Sequence, residues 1–217
     1  GRMERWETLD IAVKPSPSCR YGHAAMDAII SLRDEHGLTP EQVSAVEVGL
    51  PETGWRIIGD SDETKQKPGT VVEGQFSMPF VGAVALRDGG MQWDSYATHL
   101  NDASTLDLRK KFTTITDPAA EEEYPAYMAG VARITTHDGR NLERKVAVAK
   151  GEPENFPSDV ELRAKFDGLV AGDLPGPVRD ALANALLGLG DIADFTQVMA
   201  LVRPDNFDHV QSANAAE

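Results

Sequence analysis

Apolar positions repeat at helical spacing just after residue 23. Ala25, Ala28, Ile29 and Leu32 share one stripe, and Gly37 offers a left-handed stop after His36. Upstream, Leu9, Ile11 and Val13 alternate with polar residues and predict a short strand over Trp6–Val13. Alternation returns in Ser44–Leu50, where Val46, Val48 and Leu50 would line one face. Residues 51–69 are polar and turn-rich and read as a loop with a half-turn around Trp55–Ile58. Ser77 can cap a helix carrying Phe80, Ala83 and Val84, which Gly89–Gly90 ends. Residues 94–112 read as two helical pieces and Thr113–Thr116 as a strand. Gly130–Thr136 and Asn141–Val148 alternate on either side of Asp138–Gly139, a strong hairpin signal.

Three amphipathic helices follow. Ser158-x-x-Glu161 is a capping box ahead of Leu162, Phe166 and Leu169. Pro177 fits the first turn of a second helix, and Ile192, Phe195, Val198, Met199 and Val202 mark a third, which Pro204 stops. The order predicts an α+β fold: a small, mostly antiparallel sheet with helices packed on one face, plus the C-terminal amphipathic helices. The expected organisation is residues 1–155 as the α+β domain, 156–204 as a helical segment and 205–217 as a flexible tail.

Composition narrows the function. The 217 residues carry 35 acidic and 21 basic side chains, a net charge of −14, which argues against a nucleic-acid partner. A single cysteine allows no internal disulfide, and together with the absence of a long apolar run or a signal-peptide pattern this predicts a cytoplasmic protein without a membrane span. Gly1-Arg2 ahead of Met3 reads as an expression scar.

Against that acidic background one segment gathers cations. Lys14-Pro-Ser-Pro-Ser-Cys-Arg-Tyr-Gly-His23 is held extended by its two prolines, with Ser18 placed to cap the next helix. Cys19 would then lie in the first helical turn, where backbone N–H groups and the dipole favour negative charge. Lys14 and Arg20 add positive charge, His23 follows Cys19 by four residues, and Asp27 continues the face. Such a group suits an anionic substrate and a proton transfer. Other readings stay open: a buried, inert cysteine; a Cys19 nucleophile activated by His23; or a metal bound by Cys19, His23 and Asp27, for which no second ligand cluster is visible. Arg109-Lys110-Lys111 reads as a solvated face or a helix C-terminal complement to the dipole, His36 as a helix C-terminal residue where positive charge is favourable, and His99, His137 and His209 as surface residues.

The run Lys-x-x-Pro-Ser-Cys-Arg-x-x-His-Ala-Ala-x-Asp-Ala resembles the signature segment of the MmgE/PrpD family, which includes 2-methylcitrate dehydratases, cis-aconitate decarboxylases and iminodisuccinate epimerases. Gln75-Phe-Ser-Met-Pro-Phe80, Asp138-Gly-Arg140, Lys150-Gly-Glu-Pro-Glu-Asn155 and Ser158–Phe166 resemble later stretches of the same family in the same order. The resemblance implies a lid portion whose active site is completed by a missing helical domain. It also implies lyase or isomerase chemistry at a carbon beside a carboxylate, on a small polycarboxylate, with no metal or organic cofactor. Lys14, His23 and Cys19 would be catalytic, and Arg20, Ser18, Gln75 and Ser77 would bind substrate. Cys19 falls where decarboxylase-like members carry a histidine, which weakens decarboxylation specifically. A homodimer is expected. The alternative is a stand-alone, non-catalytic lid acting as a binding or oligomerisation module.

Overall fold

The computed structural model describes residues 4, 6–59 and 62–203. The chain divides into two compact units, Gly1–Phe156 and Pro157–Glu217. The expected tail, 205–217, lies outside the described residues.

The first unit is built on four strands: β1 (Val43–Leu50), β2 (Phe112–Thr116), β3 (Gly130–Thr136) and β4 (Asn141–Val146), in the order β2-β1-β3-β4. β1 pairs antiparallel with β3, and β3 with β4, through the predicted hairpin, whose Gly139 takes φ 88°. β1 and β2 run parallel, Val46 opposite Phe112 and Leu50 opposite Thr116, so the sheet is mixed. A parallel pair needs a long crossover. Here it carries α2 (Glu52–Ile58), α3 (Glu63–Gln66), α4 (Val71–Gln75), α5 (Met78–Asp88), α6 (Ser95–His99) and α7 (Ala103–Arg109).

The helix after the signature segment, α1 (His23–His36), buries Ala25, Ala28, Ile29 and Leu32 and ends at Gly37 with φ 58°. It lies over β3 and β4. Gly130 permits this approach, because a Cβ there would overlap the Ala25 backbone nitrogen. α5 begins at the predicted Ser77 cap, whose hydroxyl accepts the Phe80 N–H at 3.2 Å. Its Phe80, Ala83, Val84 and Leu86 are fully buried in the core with Val46, Val48 and Leu50 of β1. On the opposite sheet face a short helix, α8 (Pro118–Glu121), covers one corner with Ala120 against Val131.

Three local expectations are corrected. Trp6–Val13 is no strand: Glu7–Asp10 forms a 3-10 turn, and Leu9 and Ile11 are exposed, so their alternation faces no core. Residues 51–69 hold α2 and α3 instead of a loop. Ile58 is buried, the Trp55 indole N–H donates to the Thr114 carbonyl at 3.1 Å, and Asp62 caps α3. Such short helices owe their stability to tertiary contacts rather than to propensity. Ser18 does not cap α1. A 3-10 turn, Arg20–Gly22, intervenes, Cys19 stands ahead of it, and α1 starts only at His23.

The second unit contains α9 (Asp159–Val170), α10 (Gly176–Leu187) and α11 (Thr196–Leu201), packed around Leu174, Leu182 and Val198. The predicted Ser158/Glu161 capping box is formed in full. Among the described residues, no helix is long and apolar enough to cross a membrane.

Candidate functional site

The prolines at 15 and 17 hold the signature segment extended across the start of α1. Lys14 at one end is exposed, and its ammonium donates to the Ser18 carbonyl at 3.1 Å. His23, opening α1, is 2% exposed. Between them Arg20 turns toward the loop after β4. It donates from Nε to Glu152 Oε1 at 2.8 Å and from a terminal nitrogen to Oε2, a two-pronged charge-assisted contact.

That loop closes the arrangement. The Val13 N–H donates to the Gly151 carbonyl at 2.8 Å, and the Lys150 N–H donates to Asp27 Oδ2 at 2.7 Å. Gly151 takes φ 98°, and any Cβ there would overlap the Val13 carbonyl oxygen. Burial pushes the Asp27 carboxyl up from its ordinary value, while the Lys150 N–H and charge pull the other way. The result is a cavity of about 10 Å³ lined by Lys14, Arg20, His23, Lys150 and Glu152 together with Ala12, Val13 and Gly151. That is room for about one water.

Lys14, Arg20 and His23 are thus brought together. Cys19, Ser18, Gln75 and Ser77 lie outside the cavity lining. Cys19 is half-buried against the main core and donates its N–H to the Gln75 carbonyl at 2.9 Å. Because it precedes the 3-10 turn, it does not share an α-helical face with His23. The Ser18 hydroxyl is buried without a hydrogen-bond partner. Ser77 is fully buried, with its hydroxyl committed to the α5 cap and the Lys65 carbonyl. Among the described residues no group of His, Cys, Asp and Glu is arranged to hold a metal ion.

Sequence reading had not placed Lys150 and Glu152 at the site. The Lys150–Asn155 run shows only turn composition, and nothing local says that it returns to residue 14. Beside the segment, the Tyr21 and Tyr124 rings stand with centroids 6.4 Å apart. Hydrogen bonding from Tyr21 and Thr53 holds the Tyr124 phenol below its ordinary pKa, and the same contact raises that of Tyr21.

Larger openings carry the wrong charge for an anion. A cleft of about 450 Å³ between α2 and α8 is lined by Glu52, Asp117 and Glu121, with Arg56 already paired to Glu52. On the open sheet face Arg133 is surrounded by Glu47 at 3.2 Å, Asp117 at 2.7 Å and Glu143 at 2.9 Å.

Comparison with known proteins agrees with the signature. The cis-aconitate decarboxylase-like protein oryM of Aspergillus oryzae is 25% identical over 212 residues, covering 92% of this chain and 42% of that relative. The chain therefore spans less than half the length of the relative. The model of the MmgE/PrpD C-terminal domain matches residues 16–186, most of the chain. With that match added to the lysine, arginine and histidine gathered at the start of α1, the chain belongs to the MmgE/PrpD family, of which it carries the C-terminal domain.

Proposed function

We propose that this chain is the C-terminal part of a lyase or isomerase that works at a carbon beside a carboxylate in a di- or tricarboxylic acid, and that a helical domain completes its active site. The observation that carries this reading is the cavity where Lys14 and Arg20 meet buried His23 in an otherwise acidic chain. Positive charge there neutralises a carboxylate and stabilises the enolate-like charge that develops when the adjacent proton leaves. His23 supplies or takes that proton. The cavity is far too small for a polycarboxylate, so substrate lies against its rim, with the other wall provided by the helical domain. The name of the Aspergillus relative favours decarboxylation. Cys19, standing in this sequence where decarboxylase-like members carry a histidine, favours dehydration or epimerisation.

The test is to assay the chain with and without a separately expressed helical domain on methylcitrate, cis-aconitate and iminodisuccinate. Turnover of one substrate by the pair, lowered about 10²–10⁴-fold by His23→Gln, supports the reading. An absence of turnover in every combination rejects it.

A further inference from the structure

The basic run at the end of α7 divides in the folded chain. Lys110 pairs with Asp107 at 2.7 Å on the surface, and the Lys111 ammonium donates to the Val43 and Pro40 carbonyls at 2.6 and 3.1 Å. Arg109 has neither kind of partner. It lies with Thr105 and Leu108 on the buried stripe of α7, the helix packed on α5, and is 7% exposed. Its Nε and one terminal nitrogen are enclosed without a hydrogen bond, and among the described residues no carboxylate pairs with the guanidinium. Arg33 and Arg179 also enclose their Nε, but each holds an aspartate, Asp34 and Asp167. The carboxylates closest to Arg109 in sequence are committed elsewhere: Asp107 to Lys110, and Asp102 to the Thr105 N–H and to the hydroxyls of Ser104 and Thr105. Burial pulls the Arg109 guanidinium pKa down from its ordinary value, with no opposing charge. A helix C-terminus favours a cation modestly, whereas a lone buried charge costs far more. The position therefore weakens this chain taken by itself.

We propose that Arg109 is a docking cation: in the assembled protein its guanidinium grips a side-chain carboxylate of the helical domain and helps to seat that domain on the first unit. This rests on the two-part active site proposed above. The chain covers 42% of the length of its Aspergillus relative, so most of that relative is polypeptide without a counterpart here. A second copy of the chain is the poorer occupant, since it would bring another net charge of −14 against the first. With so little of Arg109 exposed, pairing takes place where covering polypeptide excludes water, and there a two-pronged guanidinium–carboxylate contact is strong.

The test compares the parent chain, Arg109→Met and Arg109→Lys, each melted alone and each titrated against separately expressed helical domain. Arg109→Met is expected to melt about 2–4 °C above the parent, because it removes an uncompensated charge, and to bind the domain about 30-fold more weakly. Arg109→Lys keeps the charge, loses the planar fork, and is expected to bind about tenfold more weakly. Unchanged binding in both variants overturns the proposal and leaves the two-part active site standing; a parent chain that does not bind the domain removes both. An Arg109→Met chain that melts lower or fails to fold, beside an Arg109→Lys chain that folds and binds like the parent, shows that the charge serves this chain internally and overturns the proposal. Inorganic phosphate that raises the melting temperature of the parent but not of Arg109→Met shows a site for a free anion, which overturns it as well.

Discussion

α5 and α9 start with the same device and end with opposite fates. In each a serine hydroxyl accepts the N–H three residues on: Ser77 from Phe80 at 3.2 Å, Ser158 from Glu161 at 3.4 Å. Yet α5 buries nine of its 11 residues, Met78 through Leu86, and α9 buries none of its 12. The cap decides where a helix begins, whereas burial decides how strongly it is held. The first unit invests in a wide apolar core under the sheet. In the second, the small apolar cluster of Leu174, Leu182 and Val198 is joined by ion pairs of Arg163 with Asp167 and Asp180 and of Arg179 with Asp167. Partly exposed pairs of this kind contribute little each.

The comparison can be broken most severely at Gly130. Gly130→Val forces a side chain into the Ala25 backbone and should cost about 4 kcal/mol or more in denaturant unfolding of the first unit. A loss below about 1 kcal/mol would show that α1 does not press on β3 as described. Phe80→Ala, at a fully buried position, should cost about 3–5 kcal/mol, and Leu182→Ala in the second unit nearer 2, read as faster proteolysis confined to residues 157–203. If the two truncations prove equal, the contrast in cores fails.

The caps sharpen it further. Ser77→Ala strands the Phe80 N–H and the Lys65 carbonyl in a fully buried place and should cost about 2 kcal/mol; Ser158→Ala, at the surface, about 1 or less. Denaturation midpoints of the two variants give the ratio. The smallest effect is on acid sensitivity. The Thr136 hydroxyl and Arg140 hold the Asp138 carboxyl down to about 2, below its unfolded value of 3.8. Its contribution is therefore complete above the unfolded value and disappears as pH falls from 3.8 through 2. Asp138→Asn should flatten that part of the melting-temperature profile for the first unit and leave the second unchanged.

What could be read from the chain alone follows the same division. α1, β1, α5, the hairpin and the capping box announce themselves through periodicity and end signals within a few residues. The parallel β1–β2 pairing does not, because its partners are separated by a crossover with six helices and no local pattern encodes it. The alternation of Leu9, Ile11 and Val13 misled for a related reason: spacing describes a face without saying whether anything covers it. At the site, Lys14, Arg20 and His23 were legible because ten residues contain them. Ser77 was legible as a cap, and its hydroxyl accepts the Phe80 N–H in a fully buried place. The place of Lys150 and Glu152 beside this segment was invisible, since only the folded chain returns them to Val13, Arg20 and Asp27.

That return sets a timetable for biosynthesis. Arg20 leaves the ribosome well before Glu152, 132 residues behind it. A nascent polypeptide stopped anywhere between them displays the arginine without its carboxylate and lacks the backbone that walls the cavity. The cavity beside His23 therefore closes in one event with residues 12–155, and a fragment ending before residue 150 should form neither the loop nor the cavity.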